Sequence, residues 1–109
     1  MEIYAVKVTN QAREQMTETA RYISKTLCNP EAAQNLVDEI EKTIGTLDKM
    51  PHRIKQVEWE PWKSLGIRMI MVHNFYVYFW INEENLSVQV MAIIYEKRNQ
   101  IEQLKTIEL

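Results

Sequence analysis

The sequence predicts an α+β fold in which a helical hairpin packs on one face of a small, curved antiparallel sheet. Three observations lead to this class. An alternating apolar segment opens the chain, two stretches with helical periodicity follow it, and the second half contains runs rich in aromatic and β-branched residues. The expected element order is β-α-α-β-β-β-β, and the 109 residues suit a single domain spanning residues 1–109.

The first strand is predicted from "EIYAVKV", residues 2–8. Tyr4, Val6 and Val8 fall on one side of an extended segment, whereas the positions between them are small or polar. Because side chains alternate across a strand, this pattern indicates a strand with one buried face.

Two helices are predicted next, each from an apolar stripe with steps of three and four residues. Thr9 or Asn10 suits the N-cap of the first helix. Asn29 suits the N-cap of the second, with Pro30 at its first helical position, and this helix is expected to end before Pro51. The short break between them predicts an antiparallel hairpin. The stripes consist of Ala12, Met16, Ala20, Ile23 and Leu27, and of Ala33, Leu36 or Val37, Ile40, Ile44 and Leu47.

Four further strands are predicted after the hairpin, and their short connections favour antiparallel neighbours. A short strand is expected around Val57 and Trp59, and three longer ones over residues 67–72, 75–81 and 87–95. With helices on one face only, the other face of the sheet is expected to be partly free and available to a partner. The last segment, "IEQLKTIEL", is expected to be either a short helix or an extended tail.

Composition restricts the function. The formal net charge of −2 weighs against a dedicated duplex-binding protein, which relies on a basic excess. Cys28 is the only cysteine, so neither an internal disulfide nor a zinc site with several Cys ligands is expected, in keeping with a reducing cytoplasm. Neither a signal peptide nor a membrane-spanning run is evident. We therefore expect a cytoplasmic protein that acts without membrane, metal or cofactor.

Two arginines stand out where strands meet charged residues. Arg68 begins one predicted strand, and Arg98 follows the end of another. A guanidinium group clamps phosphate oxygens through two parallel hydrogen bonds. If the strands are neighbours, both arginines could reach one phosphate, with Lys97 adding a charge. The alternative is a cross-strand ion pair, for example between Arg68 and either Glu96 or Glu60.

The sequence resembles the RelE/ParE superfamily of bacterial type II toxins over about residues 4–104. The likeness is carried by "YAVKVTNQA", by "NPEAAQNLVDEIEKTIGTLDKMP" and by "GIRMIMVHNFYVYFWINEENLSVQVMAIIYEKRNQ". It implies the RelE/ParE-like fold and a small antitoxin protein as partner. It allows two different activities. RelE-like members cut messenger RNA in the ribosomal A site, whereas ParE-like members poison DNA gyrase.

The RelE-like alternative implies metal-independent RNA cleavage, in which the 2′-hydroxyl attacks the adjacent phosphate. Such a reaction needs a base, an acid and cations that stabilise the developing charge. The resemblance implies that Arg68 and Arg98 stabilise the phosphate, that Lys97 assists them and that Lys55 and Lys63 bind substrate. It leaves the proton-transfer groups open: the base would be Glu58, Glu60 or Glu96, and the acid Lys97, Tyr95 or His73.

Three functions therefore stand as hypotheses. The first is a ribosome-dependent mRNA endoribonuclease, with Arg68, Lys97, Arg98 and Glu96 as catalytic residues. The second is a gyrase inhibitor, because the C-terminal "IEQLKTIEL" lacks the tyrosine or histidine–tyrosine pair of the family's nucleases. The third is a degenerate toxin that only binds an antitoxin. Alanine at Arg68 or Arg98 is expected to abolish toxicity without unfolding the protein.

Overall fold

The computed structural model describes residues 2–107. Its strands are β1 (Ala5–Val8), β2 (Arg68–Val72), β3 (Phe75–Asn82) and β4 (Ser87–Tyr95). They form one mixed sheet in the order β1-β4-β3-β2. The α+β class and the strand–helix–helix opening are confirmed. The strands are antiparallel except at one edge, where β1 runs parallel to β4, so the expectation of a purely antiparallel sheet is corrected. Residues 9–86 connect β1 to β4 through the helices, β2 and β3, and this connection is long enough for a parallel pairing.

The helical hairpin forms with the predicted caps. The Thr9 side chain accepts a hydrogen bond from the Ala12 amide at 3.2 Å and begins α1, Asn10–Arg21, while Asn29 begins α2, Pro30–Gly45. A π-helical turn, Tyr22–Thr26, continues α1. Because its wider turn shifts the angular position of later residues, Leu27 leaves the predicted apolar stripe and is 56% exposed.

The strand predicted around Val57 and Trp59 does not form. Only an isolated bridge joins Gln56 to Arg68, and residues 57–67 fold into turns instead. This segment lies across the face of the sheet opposite the hairpin, where Val57, Trp62 and Ile67 are buried. The order observed is therefore β-α-α-β-β-β followed by a short helix.

Each face of the sheet carries its own hydrophobic core, so the prediction of a partly free face is wrong. On the first face, the hairpin and β1 pack against a core that includes Val77 and Phe79. On the second face, Tyr78 lies fully buried beneath the 57–67 segment and α3, Gln100–Leu104. The near-continuous apolar sequence of β4 is typical of a strand buried on both faces.

Helix α3 resolves the alternatives predicted for the C-terminal segment in favour of a short helix. Its Leu104 is buried in the second core, as is the following Ile107. The last two residues of the predicted tail lie outside the described residues. None of the helices in residues 2–107 has the length and apolar character needed to cross a bilayer.

The end of β4 extends beyond β1, and a side chain of α1 hydrogen-bonds to its backbone there. The parallel pairing ends where Val8 faces Val90. Beyond it, the Gln15 side chain accepts a hydrogen bond from the Ile93 amide at 2.8 Å. This contact satisfies a backbone group that has lost its strand partner and fixes α1 beside the end of β4.

Candidate functional site

The two arginines that were predicted to share a phosphate lie at opposite ends of the sheet. β3 lies between β2 and β4. At one end of β2, Arg68 pairs with Phe79 of β3. At the other end of β2, Val72 pairs with Phe75, which in turn pairs with Tyr95 of β4. At a rise of about 3.3 Å per residue, roughly 13 Å separates these two ends. Arg98 follows beyond Tyr95, so the predicted joint phosphate clamp does not form.

Arg68 instead braces the loop that precedes β2. Its Nη1 donates to the carbonyl oxygen of Ile54 at 2.5 Å and to that of His52 at 3.3 Å. The predicted alternatives, ion pairs from Arg68 to Glu96 or Glu60, are absent from the part of the chain that the structure describes. The guanidinium group is therefore used by the fold.

A polar cluster surrounds this brace. The His52 imidazole pairs with the Glu83 carboxylate, which also accepts a hydrogen bond from the Tyr4 hydroxyl at 3.0 Å. Burial, together with the Glu83 carboxylate, raises the pKa of the Tyr4 hydroxyl. The cluster links the start of the chain to the β3–β4 turn and to the loop before β2.

The charged residues after β4 form a turn at the opposite end of the sheet. The Glu96 amide donates to the Asn74 carbonyl at 2.8 Å, and the Arg98 amide to the Tyr95 carbonyl at 3.0 Å. Lys97 and Arg98 are exposed. Within residues 2–107, their charged groups have no hydrogen-bond or ion-pair partner. This end of the sheet thus presents cations that the fold does not use.

A groove with a volume of about 1060 Å³ lies beside this turn. One wall comes from α1 and its π-helical turn, and the other from the end of β4 and the turn at residues 73–74. Tyr22, Leu27 and Tyr95 line it with side chains that are 55%, 56% and 37% exposed. Such an exposed apolar lining is typical of a surface that binds a partner.

The groove also carries the polar groups of the candidate site. The structure brings His73, Tyr95 and Arg98 to one groove, with the Glu18 carboxylate on the same lining. A guanidinium group beside an imidazole can bind a phosphate or an acidic side chain. Arg68 does not line this groove.

The two predicted substrate-binding lysines lie elsewhere. Lys55 is exposed beside β2, where its carbonyl oxygen accepts a hydrogen bond from the Met69 amide at 3.4 Å. Lys63 is exposed in the segment that covers the second face of the sheet. Neither lines the groove with Arg98. Their assignment to substrate binding, like the catalytic assignments, stays a prediction.

The glutamates predicted as alternative bases also differ in their surroundings. The Ser64 hydroxyl donates to Glu60 at 2.6 Å and the Ser64 amide donates at 2.7 Å. These hydrogen bonds, helped by nearby Lys63, lower the pKa of Glu60 and make it a weaker base. Glu58 is exposed, and Glu96 is half-buried in the turn after β4. Residues 2–107 contain no cluster of three or more His, Cys, Asp or Glu side chains suited to a metal ion.

Two residues of this region, Glu18 and Gln100, carry no distinctive pattern in the sequence. Glu18 lies off the apolar stripe of its helix, where periodicity predicts only solvent exposure, yet it lines the groove. Gln100 organises the turn through its side chain. The one sequence feature that points to Gln100 is the residue before it, Asn99, because asparagine is a preferred N-cap and so marks Gln100 as the start of a helix. The Asn99 side chain accepts a hydrogen bond from the Glu102 amide at 3.2 Å.

One comparison with known proteins identifies a family. Residues 6–100 match the model of the ParE toxin of the type II toxin-antitoxin system parDE. A search of curated sequences found no significant relative.

Solved structures show the same fold at low sequence identity. A chain of the chromosomal ParDE toxin-antitoxin system from P. aeruginosa superposes with a TM-score of 0.70 and 19% identity, over 85% of this chain and 96% of that one. A chain of the RelBE2 toxin-antitoxin complex from Mycobacterium tuberculosis gives 0.58 and 18%, over 85% and 98%. A mutant of the E. coli toxin RelE in the free state gives 0.57 and 11%, over 93% and 92%.

Proposed function

The chain belongs to the ParE toxin family of type II toxin-antitoxin systems, and we propose on that premise that it is a toxin that binds DNA gyrase without cleaving RNA. The observation that carries the choice is the separation of Arg68 from Arg98. Metal-independent RNA cleavage needs cations, a base and an acid around one phosphate. Arg68 instead donates hydrogen bonds to two backbone carbonyl groups at the other end of the sheet.

A cognate antitoxin is the second part of the proposal. The solved relatives from P. aeruginosa and Mycobacterium tuberculosis come from a toxin-antitoxin system and a toxin-antitoxin complex, respectively. The exposed Tyr22 and Leu27 beside the groove supply apolar surface of the kind that partner proteins cover. The proposed action is cytoplasmic, because gyrase and its DNA are found there.

The experiment compares the two targets with one protein preparation. Purified toxin is added to gyrase and supercoiled plasmid, and trapped cleavage complexes are measured after denaturation. In parallel, the toxin is added to programmed ribosomes and the message is mapped by primer extension. We expect trapped gyrase–DNA complexes and an intact message. Cut message with unaffected gyrase would overturn the proposal.

Ribosome-dependent mRNA cleavage is the second candidate, and one observation favours it. His73, Tyr95 and Arg98 line the same groove, so an imidazole, a phenol and a guanidinium group lie near one another. In this case His73→Ala and Arg98→Ala should each abolish message cleavage in the ribosome assay. Normal growth of cells that express the chain without an antitoxin would oppose both activities and support an antitoxin-binding module.

A further inference from the structure

The side chain of Gln100 ties three parts of the chain together at the turn after β4. Its Nε2 lies 2.8 Å from the carbonyl oxygen of Tyr95, 2.9 Å from that of Arg98 and 3.4 Å from that of Glu96. An amide group has only two protons to donate. The two short contacts are therefore the principal hydrogen bonds, and the longer one to Glu96 shares a proton with them.

The other end of the same amide is anchored in the second core. The Gln100 Oε1 accepts a hydrogen bond from the Tyr78 hydroxyl at 2.8 Å, and Tyr78 is fully buried in β3. Burial raises the pKa of this phenol, which keeps its proton available for donation. Because backbone carbonyls can only accept, the orientation of the amide is determined: nitrogen toward the turn, oxygen toward Tyr78.

The network explains how a tight turn with converging carbonyl groups is held in one shape. Without the Gln100 amide, the Arg98 carbonyl would turn toward water, since each backbone acceptor needs a partner, and the Tyr95 carbonyl would keep only the Arg98 amide. The guanidinium group of Arg98 has no partner of its own among residues 2–107. Its placement therefore depends on the backbone of the turn.

We propose that Gln100 is the positioning residue of the Glu96–Arg98 turn and holds Arg98 at the rim of the groove in the orientation its target meets. This inference rests on the proposed function in one respect, namely that Arg98 contacts the target. A side chain that is already held in its bound orientation loses less conformational entropy when the target binds. Gln100 acts through Arg98 and does not itself contact the target.

The role can be separated from folding because α3 has other anchors. Leu104 and Ile107 are buried in the second core and do not depend on the amide. Gln100→Ala should therefore leave the protein folded, with a thermal unfolding midpoint lower by about 5 °C because the buried Tyr78 hydroxyl loses its acceptor. Gln34→Ala is a matched control, because Gln34 is an exposed helical residue whose side-chain amide, among residues 2–107, bonds only to Asp38 in its own helix.

The first measurement is amide hydrogen exchange at Arg98, whose N–H donates to Tyr95 within the turn. We expect Gln100→Ala to accelerate this exchange at least tenfold and Gln34→Ala to leave it unchanged. Gln100→Glu should accelerate it further, because a carboxylate would place acceptor oxygens against acceptor carbonyls. Unchanged exchange in both Gln100 variants would overturn the inference, whatever the toxin's target.

The second measurement is a double-mutant cycle read out by growth arrest, which does not presuppose the target. Gln100→Ala should weaken arrest at least fivefold in the wild-type background and have no further effect in Arg98→Ala. Equal effects in both backgrounds would show a role independent of Arg98 and overturn the inference. A failure of the proposed gyrase target would appear in the wild-type gyrase assay and would leave this cycle intact.

Discussion

The two ends of the sheet use the same residue type in different ways. At the β2 end, Arg68 donates to the carbonyl oxygens of His52 and Ile54 and is half-buried. At the β4 end, Arg98 is exposed in a turn, and the described residues offer its guanidinium group no partner. The comparison teaches that an arginine flanking an apolar strand can serve the fold or a partner, and that only its hydrogen bonds tell which.

This difference revises the sequence-based expectation that alanine at either arginine would abolish toxicity without affecting folding. For Arg98 the expectation stands. For Arg68 the structure assigns two internal hydrogen bonds, so the first consequence of its loss should be a less stable protein. The predictions below test that division, starting with the largest effect.

Arg68→Ala should lower the free energy of unfolding by about 2 kcal/mol, because it leaves two backbone carbonyls without a charged donor. The measurement is urea unfolding followed by circular dichroism. Arg13→Ala, a substitution at an exposed position of α1, is the control and should stay within about 0.5 kcal/mol of the wild type. A fully stable Arg68→Ala would contradict a bracing role for this residue.

Arg98→Ala should reduce toxin potency about tenfold, equivalent to about 1.4 kcal/mol of lost target binding, while the unfolding free energy stays unchanged. The reason is that the fold does not use this guanidinium group. Potency is measured as the toxin concentration that gives half-maximal gyrase inhibition, with Arg13→Ala again as control. Full potency in a folded Arg98→Ala protein would show that the target meets another surface.

His52→Ala should lower the unfolding free energy by less than about 1 kcal/mol, because a contact between an exposed imidazole and an exposed carboxylate contributes little. Both partners are exposed, at 49% for His52 and 56% for Glu83. The backbone carbonyl that receives Arg68 is retained in this variant. If its loss of stability instead equals that of Arg68→Ala, the polar cluster and not the guanidinium group would be the main brace.

Ser64→Ala should have the smallest effect, a rise of the Glu60 pKa toward its ordinary value, because the hydroxyl that stabilises the carboxylate is removed. A lowered pKa favours the folded state at neutral pH, and this contribution disappears as the pH falls through the folded-state value. The variant should therefore differ from the wild type at neutral pH and converge with it in acid. The check is an NMR titration of Glu60; an unchanged pKa would assign the shift to the Ser64 amide and Lys63, which the variant retains.

Local signals in the sequence were sufficient for most of the fold. Thr9, Asn29 and Pro30 identify both helix starts, because capping depends on a few neighbouring atoms. The parallel pairing of β1 with β4 and the covering of the second face depend on contacts between distant segments, which periodicity does not report. The predicted strand at Val57 failed for the same reason, since tertiary packing turned that segment onto the sheet.

The candidate site was less accessible from the sequence than the fold. Arg68 and Arg98 were correctly placed beside strands, but their separation follows from the position of β3 between β2 and β4. Glu18 and Gln100 gave no distinctive pattern, because a polar residue on a helix surface has the same sequence signature whether or not it faces a groove. The family resemblance identified the superfamily, and the strand register then showed that its two arginines lie at opposite ends of the sheet.

The parallel edge of the sheet has a consequence for how the protein is made. Thr9, at the end of β1, bonds to the Met91 carbonyl, 82 positions away. β1 is therefore synthesised early, yet β1 has no strand to pair with until β4 has been synthesised. Pairing over such a sequence distance slows folding. We expect the nascent toxin to stay unfinished through most of its translation, which would give an antitoxin produced nearby time to meet it before it can act.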